Sequence, residues 1–153
     1  MSKKEIMVVL DNIRSRENVG SIFRTADGAG VDKIYLCGIT PTPPHEKISK
    51  TALGAETYIS WEYHKRTADI LKKLNKQRIN IVALEQTKNS RNIFTMGAFA
   101  KAPIVLVLGN EVRGLSSGIL KLCDKKVYIP MLGRKESLNV SVAAGIALYQ
   151  IIK

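Results

Sequence analysis

Five short aliphatic runs, separated by stretches of helical periodicity, constrain this fold more than any other feature. They are Ile6 to Leu10 (IMVVL), Lys33 to Cys37 (KIYLC), Ile79 to Leu84 (INIVAL), Ile104 to Leu108 (IVLVL) and Lys126 to Ile129 (KVYI). A strand with one wet face alternates apolar and polar residues. These runs do not alternate, which is the pattern of strands covered on both faces in a parallel sheet. Asn18 to Gly30, Ala68 to Gln77, Ser116 to Cys123 and Leu138 to Ile152 show helical spacing between and after them. In the second, Ile70, Leu71 and Leu74 face inward and Lys72, Lys73 and Lys76 face water. The alternation predicts an α/β protein, a mostly parallel sheet with helices on both faces and right-handed crossovers. Pro41, Pro43 and Pro44 make Ile39 to Glu46 a loop, leading into a short helix over Lys47 to Leu53.

At 153 residues the chain suits a single domain, 1–153, with no repeat and no linker-like segment. The 24 basic side chains exceed the 13 acidic ones, for a net charge of +11. So large an excess points to a polyanion, with nucleic acid ahead of an anionic membrane surface. Residues 77–153 hold 11 basic against 4 acidic side chains, and the Gly-rich loops lie in that half. The longest uncharged run, Ser137 to Ile152, falls short of the ~20 residues that span a bilayer. Cys37 and Cys123 stand alone, without CxxC spacing or a histidine cluster, so no metal site is expected. With no export signal, such cysteines suit a reducing cytoplasm.

The first strand is followed by DNIRSRENVGSIFRT, with Gly20 alone, so the phosphate-cradling GxGxxG of dinucleotide folds is missing. Three other segments concentrate polar residues. In NIRSRENVGSIFRTADGAG, Arg14, Arg16 and Glu17 fall in a turn. Asn18 is a candidate N-cap, and Arg24 projects from a helix that buries Val19, Ile22 and Phe23. In IVLVLGNEVRGL, a buried strand runs into a loop bounded by Gly109 and Gly114, with Asn110, Glu111 and Arg113 between. Loops at the carboxyl ends of parallel strands are where open α/β sheets bind ligands. In IPMLGRKESLNVSVAAGIALYQ, a broken strand delivers Ser137 and Asn139 to the last helix. There Val142, Ile146 and Tyr149 form an apolar stripe, and Ala143, Ala144, Gly145 and Ala147 permit close approach by another helix or subunit. Singly, each has a plain reading: a solvated arginine, a surface Glu111–Arg113 pair, a capped core helix.

As a set and in this order, NVGSIFRTADGAGV, LVLGNEVRGL and IPMLGRKESLNVSVAAGIALYQ resemble the three motifs of the SpoU (TrmH) family of RNA ribose 2′-O-methyltransferases, within the SPOUT superfamily. The resemblance implies a C-terminal deep trefoil knot and an S-adenosylmethionine site on backbone-rich loops. Leu84, Gly109, Ile129, Ser137 and Leu138 are its cofactor positions. Arg24, Asn18, Glu111, Ser137 and Asn139 match the motif polar residues. Arg24 is expected to bind a phosphate or oxygen of the target nucleotide, because a guanidinium is a poor base. The remaining polar residues would position nucleotide and cofactor loops. The resemblance also implies a homodimer with sites shared between subunits, and a tRNA or rRNA substrate. It leads us to expect no separate N-terminal RNA-binding domain, with Arg14, Arg16, Lys47, Lys50 and Arg113 meeting RNA. Two readings compete with an enzyme: a knotted, non-catalytic RNA-binding or assembly protein, and a flavodoxin-like module. The intact motif residues weigh against the first. The missing acidic cluster and phosphate loop weigh against the second.

Overall fold

A computed structural model describes residues 3–99 and 103–153 of the chain. Seven strands form one sheet in the order β3-β2-β1-β6-β4-β7-β5, and every neighbouring pair is parallel. The five aliphatic runs are β1 (Ile6–Asp11), β2 (Lys33–Cys37), β4 (Asn80–Leu84), β6 (Ile104–Leu108) and β7 (Lys125–Tyr128). They occupy the five interior positions. The aliphatic pattern misses β3 (Ser60–His64) and β5 (Arg91–Asn92), which are the two edges. An edge strand has a solvated side and does not need a continuous apolar run. On β3, Glu62 pairs with Lys33 at 2.6 Å and with His64 at 2.6 Å, a charged edge of the kind that discourages further strand pairing.

The pleat divides β1, β2, β4 and β6 between two cores, while β7 contributes Val127 to the first alone. Ile6, Val8, Leu10, Ile34, Leu36, Val82, Leu106 and Leu108 face one layer, made of α1 (Arg16–Gly28), α2 (Glu46–Ala52) and α5 (Val140–Ile152). Met7, Val9, Tyr35, Ile81, Val105 and Val107 face the other, made of α3 (Thr67–Lys76) and α4 (Ser117–Leu120). Helices thus cover both faces, as the strand composition predicts. In α3 the buried residues are Thr67, Ile70, Leu71 and Leu74, and the three lysines are exposed.

Helix boundaries differ from the sequence reading where capping decides them. Ser15 caps α1, its hydroxyl accepting from the Asn18 N–H at 3.1 Å, so Asn18 lies inside the first turn and is free for another use. His45 caps α2 through its ring, moving that helix to begin at Glu46. Asn139 caps α5, which therefore begins at Val140, and Ser137 stays in the loop. Gly20 lets α1 and α2 touch, since a Cβ there would land on the Ile48 carbonyl oxygen and the Thr51 hydroxyl. The small side of α5 is also consumed within the chain. Ala144 and Ala147 are fully buried beside Leu148, and a Cβ on Gly145 would lie 3.3 Å from Thr25 of α1. The face of α5 left open is Val142 and Tyr149, each 51% exposed.

Candidate cofactor and substrate site

The loops following β4, β6 and β7 leave the same end of the sheet and enclose a cavity of about 460 Å³. Its wall combines Leu84 to Gln86, Leu108 to Gly114, Tyr128, Ile129, Met131, Glu136 to Val140 and Asn18 of α1. Of the sequence candidates, Asn18, Leu84, Gly109, Glu111, Arg113, Ile129, Ser137, Leu138 and Asn139 meet here. Arg24 and Lys50 do not. They line a second hollow between α1, α2 and α5, with Ser21, Thr25, Thr51 and Tyr149. Arg14, Arg16 and Lys47 are exposed on the surface around the α1 entry and α2.

One hydrogen-bond chain joins the three motif segments. The Asn139 side-chain N–H donates to Asn18 Oδ1 at 3.1 Å, and Asn18 Nδ2 donates to Glu111 Oε2 at 3.1 Å. The Glu111 carboxylate also accepts from the backbone N–H of Arg14 at 2.9 Å and of Ser15 at 3.0 Å. Partial burial pushes the Glu111 pKa up, but the Arg14 and Ser15 N–H donors and Asn18 outweigh it, and the net result lies below the usual 4.5. A carboxylate so occupied is a poor proton acceptor and a good anchor. No Glu111–Arg113 ion pair forms among the described residues; Glu111 instead fastens the β6 loop to the start of α1.

The sequence reading gives Asn110 no role beyond its place in the polar loop and does not name Glu85. Asn110 donates to the Asn12 carbonyl at 2.8 Å, while its own Oδ1 accepts from the Val112 and Arg113 N–H groups at 2.9 Å. Glu85 Oε1 accepts from the Leu115 N–H at 2.6 Å. The loop between them is drawn so tight that a Cβ on Gly109 would lie 2.7 Å from the Gly114 carbonyl carbon and 2.8 Å from the Leu115 nitrogen. Gly114 itself has φ +67°, where glycine is favoured. The available signal for Glu85 was an acid placed directly after a buried aliphatic run, as Asp11 is after IMVVL. The cysteines take no part in the cavity. Both are free, and burial pushes Cys37 up to about 12 and Cys123 up to about 11, so neither is a ready thiolate.

Parallel strands, helices on both faces and a ligand-sized cavity at the carboxyl ends of the strands, lined by loops without a phosphate cradle, define a class of α/β ligand-binding domain. Residues 5–149 match the SpoU rRNA Methylase family, and the chain belongs to that family. It is 36% identical over 149 residues to the tRNA (guanosine(18)-2′-O)-methyltransferase of Aquifex aeolicus, covering 97% of this chain and 69% of that protein. The SpoU methyltransferase AviRb of Streptomyces viridochromogenes, solved in complex with the cofactor AdoMet, superposes with a TM-score of 0.86 at 27% identity, covering 98% of this chain and 60% of AviRb. The AdoMet-bound rRNA methyltransferase of Sinorhizobium meliloti superposes with a TM-score of 0.86 at 32% identity, covering 97% of this chain and 56% of that chain. The chain thus spans little more than half the length of these two solved relatives.

Proposed function

We propose that this chain transfers a methyl group from S-adenosylmethionine to a ribose 2′-hydroxyl of tRNA or rRNA. The observation that carries the reading is the Asn139–Asn18–Glu111 chain, which gathers all three family segments around one cofactor-sized cavity. The cavity suits the cofactor on its own terms. About 460 Å³ lies within the roughly 300–1,000 Å³ of small-molecule sites. Leu84, Gly109, Ile129 and Leu138 line its wall, and the family resemblance assigns their backbone groups to an adenosyl group that carries no phosphate. The bound cofactor would supply an electrophilic methyl on a sulfonium.

What the protein adds is position. Glu111, Asn18 and Asn139 lock the β6 loop, the start of α1 and the start of α5 into one frame. Arg24 binds a phosphate or sugar oxygen of the target nucleotide and orients its hydroxyl. Within one chain Arg24 lies in the second hollow, so this role assigns it to a site completed by a second copy. Tyr149 of α5 lines that hollow and is half exposed, as is Val142 two helical turns earlier, which supports a twofold contact there. Arg14, Arg16, Lys47, Lys50 and Arg113 contact RNA phosphates, which position the RNA without reading its sequence. The knot belongs to the same reading. β6 sits between β1 and β4, and β7 between β4 and β5, and the loops that follow β4, β6 and β7 share one cavity wall at the same end of the sheet. The test is transfer of labelled methyl from S-adenosylmethionine to RNA, with the modified position mapped. Arg24→Ala is expected to abolish transfer while cofactor binding is retained. A fully active Arg24→Ala refutes its assigned role, and RNA binding without any transfer by the wild type favours an RNA-assembly protein.

A further inference from the structure

Glu85 is a charged side chain in the wall of the cavity, and the hydrogen-bond chain described above does not use it. It stands directly after β4, where the buried run INIVAL ends, and its carboxylate is held by one hydrogen bond and packs against Gly114. Its Oε1 accepts from the Leu115 N–H at 2.6 Å, and its carboxylate lies where a Cβ on Gly114 would otherwise be. A carboxylate has capacity for about four donors. Here only one oxygen is engaged: Oε2 accepts no hydrogen bond among the described residues. Nor is Oε2 among the buried atoms without a partner, so it opens to solvent-accessible space. A rigidly held anionic oxygen at the wall of a ligand cavity takes a hydrogen-bond donor from the ligand.

We infer that Glu85 is a specificity-determining residue for the cofactor, with one oxygen holding the Gly109–Gly114 loop and the other accepting from a donor group of the bound molecule. This rests on S-adenosylmethionine being the ligand. That molecule offers two kinds of donor, the ribose diol and the α-ammonium of its methionine tail, and a carboxylate recognises either. The arrangement also explains why a full negative charge is placed where a neutral acceptor would suffice for Leu115. The charge favours a ligand that brings donors and a positive group.

The test is calorimetric titration of the purified chain with S-adenosylmethionine and with methylthioadenosine, which keeps the ribose and lacks the amino-acid tail. Wild type and Glu85→Gln are compared, with the melting temperature of each ligand-free protein. Glutamine retains an acceptor for Leu115, so the variant is expected to melt like wild type while binding S-adenosylmethionine about tenfold or more weakly. An equal loss with methylthioadenosine assigns the ribose diol; a loss confined to S-adenosylmethionine assigns the ammonium. Unchanged cofactor affinity in Glu85→Gln overturns the inference. Should that variant fail to fold, wild-type titrations with 2′,3′-dideoxy and deaminated analogues take its place. Affinities equal to that of the parent cofactor for both analogues overturn the inference, and a tenfold loss with either supports it. Wild type that binds no S-adenosylmethionine overturns the underlying functional reading instead.

Discussion

Removing the Glu111 side chain separates an anchor from a catalytic base more sharply than any other change. In Glu111→Ala the Arg14 and Ser15 N–H groups and the Asn18 amide lose their shared acceptor. Hydrogen bonds to charged groups contribute about 1.5–3 kcal/mol when dry and less when solvent can replace them. Glu111 is only partly buried, and water can reach the vacated donors. A net cost of about 2 kcal/mol follows, or a fall in Tm of roughly 4–8 °C for a chain of this length. The effect depends on pH. Because folding lowers the Glu111 pKa, its contribution is complete above the usual value of 4.5 and disappears as pH falls through the lower folded value. Wild type and Glu111→Ala should therefore differ in Tm at pH 7 and converge towards pH 3 in calorimetric scans. Glu111→Gln, which retains one acceptor oxygen, should lie between them and keep measurable methyl transfer. Equal melting of Glu111→Ala and wild type at pH 7 would refute the anchoring argument. Complete loss of transfer in a stable Glu111→Gln would point to proton transfer instead.

Gly109→Ala should abolish cofactor binding, because its Cβ meets backbone atoms of Gly114 and Leu115 that cannot yield without reshaping the loop; titration and melting with ligand would show it, at a stability cost of about 1–3 kcal/mol. Asn139→Ala removes both the α5 cap and the bond to Asn18, and should cost about 1–2 kcal/mol by denaturant unfolding. RNA binding should weaken steeply with salt, with log affinity falling linearly in log salt, and each of Lys50→Ala and Arg16→Ala should reduce that slope by about 1. A slope near zero would remove phosphate contacts from the docking account.

The interior of the sheet was legible because a strand buried on both faces has no choice but to be aliphatic, and two of the five runs match their strands at both ends while the other three are off by one residue. The edges were not legible. Ser60–His64 carries no aliphatic run because part of it meets water, and Arg91–Asn92 is too short to carry a pattern. Helix starts were displaced wherever several residues could cap: Ser15 took the position expected of Asn18 and released Asn18 for Glu111. The motif segments identified most of the cavity wall, yet Glu85 and Asn110 acquire meaning only from the backbone groups they hold, Leu115 and Asn12.

By itself, then, the sequence determined the layer architecture, the basic character of the surface and the three segments that carry the family resemblance. These are encoded locally, in composition, periodicity and motif. Tertiary structure alone decided that residues 18, 111 and 139 form one chain of hydrogen bonds and that Arg24 faces a different hollow. It also decided that the small residues of α5 pack on α1 and leave Val142 and Tyr149 outside. The physical reason is sequence separation. A hydrogen bond between residues 93 or 121 positions apart is fixed by the strand order that brings their loops together, and no local pattern specifies that order.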